Sequence, residues 1–125
     1  MKKFIGIIAL LLIFTVQAFA KDMRFIQIDG LKYTQNDSNS VSAFESMIKD
    51  INKQKGVSFV LFSGNNISKP DKNYMKSFLK TANKLKYPYY IVMGNKEINK
   101  QKGFGKSDYI KELRKYSTAH KKNKV

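Results

Sequence analysis

The chain has 125 residues, a length typical of a single domain. It carries 24 Lys and Arg side chains against 9 Asp and Glu, which gives a net charge of +15, and it has no cysteine. The lack of cysteine excludes disulfides, thiolate nucleophiles and thiolate-bound metals. The single histidine, His120 near the C-terminal end, excludes a cluster of imidazole ligands and a histidine-based triad.

The excess of positive charge has two interpretations. An anionic partner, such as nucleic acid, a membrane surface or a cell-wall polymer, would account for it. However, every basic residue other than Arg24 and Arg114 is lysine, whereas phosphate-reading sites usually recruit arginine. The composition therefore favours a solvated lysine surface over a dedicated polyanion site.

The first 20 residues have the layout of a secretory signal peptide. Lys2 and Lys3 precede an apolar run at residues 4–16, and residues 18–20 read A-F-A, a small-x-small cleavage signature. The apolar run is shorter than the roughly 20 residues that a membrane-spanning helix needs. We therefore predict a secreted or periplasmic protein with no stable membrane span after cleavage. The alternative is an uncleaved N-terminal membrane anchor.

Three strand-like runs end in polar turns. The central run, residues 57–67, reads V-S-F-V-L-F-S-G-N-N-I, a pattern typical of a buried strand that ends abruptly. The first run, residues 24–29, leads into Gly30, and the third, residues 89–93, leads into G-N-K-E. Ligands of open α/β sheets bind outside the carboxyl ends of strands, so these three turns are the expected site.

Helical patterns separate the strands. The first helix has apolar residues at 3-4-3 spacing: Val41, Phe44, Ile48 and Ile51. Its predicted N-cap is Ser42 in a capping box with Glu45, and Ser40 is the alternative. The second helix has Pro70 in its first turn and an apolar stripe of Tyr74, Phe78, Ala82 and Leu85. This order predicts an α/β fold, a three-layer α/β/α-type βαβαβ unit with a short parallel sheet.

The composition changes after residue 97. Residues 98–116 predict a basic, glycine-containing loop followed by a short helix. Ser107 is the predicted cap of that helix, and its predicted inward side chains are Ile110, Leu113 and Tyr116. Residues 117–125 are polar and basic, which predicts a disordered tail.

The three strand ends together resemble the N-terminal half of a calcineurin-like metallophosphoesterase. In that family the first strand ends in D-x-H, the second in G-D and the third in G-N-H-D/E. Here residues 27–33 read Q-I-D-G-L-K-Y, residues 63–66 read S-G-N-N and residues 93–97 read M-G-N-K-E. The resemblance covers residues 24–97 and makes residues 21–97 a partial calcineurin-like phosphoesterase domain with degenerate motifs.

The resemblance implies a site for two divalent metal ions, Mn, Fe or Zn, which in the family activate a water and clamp the phosphate. Asn65 and Asn95 stand at metal-ligand positions of the family. Lys96 stands where the family has the histidine that assists the leaving group, so it is the candidate catalytic residue. Glu97 stands at a supporting position.

The replacements change the chemistry that the family site performs. Gly30 replaces an Asp ligand and Lys32 replaces a His ligand, and a lysine ammonium has no lone pair to donate. Asp29 lies one residue out of register, and only a slip of the strand would turn its carboxylate to the site. We therefore expect no bound metal cofactor.

The sequence leaves two candidate functions open. The first is a secreted calcineurin-like phosphoesterase-related protein, descended from a metal-dependent hydrolase and now an inactive or truncated pseudoenzyme. The alternative is a non-catalytic binder of anionic polymers or phosphoesters at the cell surface, with Lys32, Lys96 and Asn66 as phosphate-binding candidates. Exposed lysines are mostly surface residues, which favours a decayed, solvated site. The unpaired sheet edges predict a homo-oligomer or a missing second half that pairs with an edge.

Overall fold

Strands and helices alternate along residues 22–118, the part of the chain that the computed structural model describes. The elements are, in chain order, β1 (Phe25–Ile28), α1 (Ser38–Lys53), β2 (Phe59–Phe62), α2 (Lys72–Ala82), β3 (Tyr89–Ile91), a 3-10 turn (Lys100–Lys102) and α3 (Lys106–Tyr116). The predicted signal peptide and His120 lie outside the described residues. Within residues 22–118, no helix combines the length and the apolar content needed to cross a membrane.

The three strands form one parallel sheet in the order β1-β2-β3. Phe25 of β1 is in register with Phe59 of β2, and Val60 of β2 is in register with Tyr89 of β3. The predicted α/β class and the parallel βαβαβ order are therefore confirmed. Each strand is shorter than the apolar run that predicted it, because turns and isolated bridges replace the strand at the ends of the run.

One face of the sheet packs against α1 and α2. Alternate strand residues are buried there together with the inner faces of the helices, in a core that includes Ile28, Val60, Phe62, Tyr89, Phe44, Ile48, Ile51 and Leu79. The ring of Phe78 lies near the centre of this core, with centroids 5.2 Å from Phe62, 5.5 Å from Phe44 and 6.3 Å from Tyr33. Of the four predicted inner residues of α1, three are buried and the fourth, Val41, is partly buried against the core.

The opposite face of the sheet is open to solvent within residues 22–118. Phe25, Tyr90 and Val92 on this face are 48%, 47% and 50% exposed. The rings of Phe25 and Tyr90 both contact the ring of Phe59. Consecutive crossovers of one hand in a sequential strand order place both helices on the same side. The described fold therefore has two layers, which corrects the predicted three, while an oligomer or a second half at the sheet edge stays a prediction.

The helix N-termini lie at aspartates rather than at the predicted residues. Asp37 caps α1 and Asp71 caps α2, and each side chain accepts the backbone N–H two residues further on. Ser40 and Ser42 are inside α1, and Pro70 precedes the cap of α2. A carboxylate is a strong acceptor, and its charge is favourable at the positive end of a helix.

α3 packs on α2, and two of its three predicted inward side chains, Leu113 and Tyr116, are partly buried against the core. The helix begins after Gly105, two residues before the expected cap Ser107. Its buried side chains are Tyr109 and Glu112, whereas the predicted Ile110 is only partly buried. An apolar periodicity does not include Glu112, because this buried residue is charged.

Ser117 and Thr118, the first two residues of the predicted disordered tail, are held in place by contacts. Ser117 is fully buried, and its hydroxyl lies 2.9 Å from the hydroxyl of Tyr89. The backbone N–H of Thr118 donates to the side chain of Asn83. These contacts fasten the end of α3 to the sheet and to α2, and residues 119–125 lie outside the described part.

We expect Phe78→Ala to lower the free energy of unfolding by about 3–5 kcal/mol, because it removes ring contacts and leaves a cavity in the core. Denaturant unfolding measures the loss. Phe25→Ala makes the same deletion on the open face and should cost about 1 kcal/mol or less. Equal losses in the two variants would contradict the assignment of buried and open faces.

Candidate functional site

The polar turns after the three strands meet at one edge of the sheet. The backbone N–H of Lys32 donates to the carbonyl of Asn65 at 2.9 Å, and that of Tyr33 donates to the carbonyl of Asn66 at 2.9 Å. The turn after β3 approaches this pair closely. A Cβ added at Gly94 would lie 2.6 Å from the backbone nitrogen of Asn65, so the position requires glycine.

Two side chains of the site stand on left-handed backbone. Lys32 has φ 50° and Asn65 has φ 49°, next to the turn glycines Gly30 at 60° and Gly64 at 126°. Asparagine tolerates this conformation, but lysine pays a steric cost. Strained residues of this kind cluster at functional sites, and Lys32 is among the residues that line the cleft at the sheet edge.

A cleft at this edge brings together residues from all three turns. It is lined by Lys32, Asn65, Ile67, Ser68 and Lys96. No carboxylate is among these lining residues, and both lysines are exposed. The carbonyl oxygen of the Asn65 side chain is buried and has no hydrogen-bond partner within residues 22–118. The donors of the lining are two ammonium groups, a hydroxyl and the amide NH₂ of Asn65, and these are groups that bind an anion, whereas the buried amide oxygen is an acceptor.

The carboxylate of Glu97 joins the second and third turns. Its Oε1 accepts the backbone N–H of Asn66 at 2.6 Å and of Ile67 at 3.2 Å. Its Oε2 accepts the backbone N–H of Gly94 at 2.5 Å. Burial raises the pKa of Glu97 above its ordinary value of 4.5, while the three backbone donors act in the opposite direction. Glu97 thus holds the two turns together from the protein interior. It is fully buried and does not line the cleft.

Several predicted site residues lie away from the cleft. Asn66 is fully buried, and its side-chain Nδ2 donates to the carbonyl of Val92 at 3.2 Å. Asn95 is exposed beside the cleft but does not line it. Asp29 accepts a hydrogen bond from the hydroxyl of Ser63 at 3.1 Å and also stays outside. The predicted residues that the structure brings together are Lys32, Asn65 and Lys96.

The donor set of the cleft does not fit a pair of divalent metal ions. Asn65 and Ser68 offer neutral oxygens, whereas Lys32 and Lys96 bring positive charge to the same place. Two close dications need anionic ligands to offset their repulsion. Elsewhere in residues 22–118, no three His, Cys, Asp or Glu side chains are grouped closely enough to hold a metal.

Ser68 is a cleft residue that the sequence analysis missed. It enters the site because pairing between the first two turns continues beyond the strands. Tyr33 and Ile67 form an isolated parallel bridge, and the N–H of Ser68 donates to the carbonyl of Tyr33 at 3.0 Å. The run N-N-I-S after β2 carried no local signal for this role, because the contact depends on how two distant segments pack.

Neither a family model, nor a curated protein, nor a solved structure matches the chain. The resemblance to calcineurin-like phosphoesterases therefore stays a prediction, which rests on three altered motifs. The geometry adds that the residues of these motifs meet at one sheet edge.

We expect Glu97→Gln to lower the free energy of unfolding by about 2–3 kcal/mol. Both carboxylate oxygens accept backbone N–H groups, and an amide NH₂ at either position would face a donor. Thermal or urea unfolding measures the loss. Glu45→Gln, at a partly exposed ion pair with Lys84, is the control and should change stability much less. A variant as stable as the parent chain would show that the three bonds do not hold the turns.

Glu97 should also make stability depend on pH. Since its pKa is raised on folding, the folded chain binds more protons than the unfolded chain above pH 4.5, and stability falls as the pH rises through the folded pKa. We expect the stability advantage of the parent chain over Glu97→Gln to shrink as the pH rises above 4.5. Urea unfolding over a pH series measures it, and an advantage that grows with pH would contradict the sign.

Proposed function

We propose that the chain is a phosphoesterase-related protein of the calcineurin-like type whose strand-end site binds phosphoesters without metal-dependent hydrolysis. The observation that carries this proposal is the convergence of Lys32 and Lys96 with Asn65 in one cleft. These residues come from three separate turns, and the altered family motifs occupy the same three turns. Export to the periplasm or the cell surface is part of the proposal.

The electrostatics of the cleft favour a phosphate group. Lysine binds phosphate as a point charge, and charge-assisted hydrogen bonds are about twice as strong as neutral ones. Lys32 and Lys96 have no ion-pair partner within residues 22–118, so both ammonium groups are available to a ligand. The net charge of +15 adds a long-range attraction for anions. A phosphomonoester, with two negative charges, matches two ammonium groups.

The positions of the lysines also support descent from a metal-dependent hydrolase. Each lysine stands where the related family has a histidine, so positive side chains occupy the place where metal ions would supply positive charge. Such a replacement keeps the attraction for phosphate but removes the activated water. The proposed protein therefore holds the ligand that its relatives cleave.

We expect phenyl phosphate to bind the full chain in isothermal titration calorimetry at low salt. Lys32→Gly and Lys96→Ala should each weaken binding about 5- to 10-fold, since each removes one charge-assisted hydrogen bond. Lys49→Ala, which removes an exposed lysine from α1, is the matched control and should bind like the parent chain. A chelator should leave the affinity unchanged.

The Lys32→Gly variant separates the effect of the lost charge on binding from an effect on the stability of the fold. Glycine suits the positive φ at this position, so the variant should be as stable as the parent chain or about 0.5–1 kcal/mol more stable. Weaker binding in a more stable variant would locate the effect in the lost ammonium group. Full affinity in the Lys32→Gly, Lys96→Ala double variant would overturn the proposal.

A further inference from the structure

A second cavity is built on two of the chain segments that form the cleft. We call it the amide groove, and it is lined by Gln35, Asn36, Asn73, Lys76, Ser77 and Lys80. The first segment, residues 32–36, contributes Lys32 to the cleft and two amide side chains to the groove. The second segment, residues 68–80, contributes Ser68 to the cleft and the other residues to the groove. The two cavities therefore share both of their supporting segments, and Gln35 of the groove follows Lys32 of the cleft by three residues.

Hydrogen bonds fix the two segments to each other. The hydroxyl of Thr34 donates to the hydroxyl oxygen of Ser68 at 2.8 Å. The hydroxyl groups of Tyr33 and Ser77 lie 2.8 Å apart, and Tyr33 is almost fully buried. The walls of the cleft and of the amide groove are thus held by the same contacts.

The amide groove is rich in donors and positively charged. Lys76 and Lys80 are one helical turn apart on α2, about 6 Å along the axis. No carboxylate lines the groove, and the nearby aspartates, Asp37 and Asp71, are engaged as helix caps. Within residues 22–118, neither Lys76 nor Lys80 has an ion-pair partner. The positive potential that these two ammonium groups create is therefore not cancelled by a direct ion pair.

The end of α3 strengthens this potential. The ammonium groups of Lys76 and Lys115 lie 5.3 Å and 5.1 Å from the centre of the same Tyr116 ring. Two cations on one ring repel each other, and an anion beside them would relieve the repulsion. Lys72, one turn before Lys76, lies 3.7 Å from the buried Glu112 and is therefore partly neutralised.

We propose that the amide groove extends the cleft into a track for a linear chain of phosphates, with the terminal phosphate in the cleft and the following ones in the groove. The inference rests on the proposed phosphate binding by the cleft. A peptide ligand would need apolar pockets or a free strand edge, and the groove lining has neither. A nucleic acid would need aromatic platforms for its bases, and none lines the groove. The ligand is therefore a phosphate polymer without bases.

The test compares orthophosphate, tripolyphosphate and long-chain polyphosphate on the full chain at one fixed salt concentration. We expect the affinity to rise at least about tenfold from the shortest to the longest probe, because each further phosphate meets a further cation. Lys76→Ala with Lys80→Ala should keep the affinity for orthophosphate and lose the gain with length. Lys49→Ala with Lys53→Ala removes two lysines with the same spacing on α1 and should keep the gain.

The outcomes separate this inference from the function on which it rests. Orthophosphate binding without any gain with length would overturn the track and leave the cleft intact. Failure of orthophosphate to bind would overturn the proposed function itself. A gain that survives the loss of Lys76 and Lys80 would assign the polymer to the general lysine surface and overturn the track. Equal binding of polyglutamate at matched length would overturn the preference for phosphate.

Discussion

The buried carboxylate of Glu97 determines the geometry of the strand-end site. Parallel strands bring their carboxyl ends to one edge, and a further link then has to hold the turn after β3 against the turn after β2. Glu97 supplies this link with three backbone hydrogen bonds, two to the turn after β2 and one to the turn after β3. Because of this link, Asn65 and Lys96 are carried by hydrogen-bonded turns and not by free loops. Burying a carboxylate is costly, and the raised pKa of Glu97 records that cost.

The turn after β1 joins the site in a different way. Its backbone pairs with the turn after β2, and Lys32 adopts a left-handed conformation to do so. Side chains that are neutral or positive then occupy the cleft, since the carboxylate nearby in the sequence, Asp29, is bonded to Ser63 instead. The site is rigid, positive and free of carboxylate ligands, a combination that suits a phosphate group better than a metal ion.

Much of the fold could be read from the sequence, because it depends on local patterns. The 3-4-3 spacing identified the inner face of α1, and the glycines after apolar runs identified the strand ends. The layering could not be read, since Phe25 and Tyr90 look like core residues until the strand order is known. The most buried part of the inner face of α3 was missed because it includes Glu112, a charged residue that is buried.

The site was predictable to a similar degree. The strand-end rule placed Lys32, Asn65 and Lys96 together, because it requires only the order of strands and turns. It could not give the direction of Asn66, whose side chain points inward after the left-handed residue before it. Ser68 and the lining of the amide groove depend on how two distant segments pack, and a local pattern does not encode that packing.

We propose that the strand-end site recognises phosphate through its lysines and does not require metal. Thermal unfolding of the full chain in chloride, in phosphate and in Mn²⁺ with a chelator control tests it most directly, because a ligand that prefers the folded state raises the midpoint. We expect a midpoint that rises with phosphate, is indifferent to Mn²⁺ and to chelator, and loses its phosphate response when Lys32 and Lys96 are replaced. A midpoint that rises with Mn²⁺ and falls with chelator, without any response to phosphate, would contradict it.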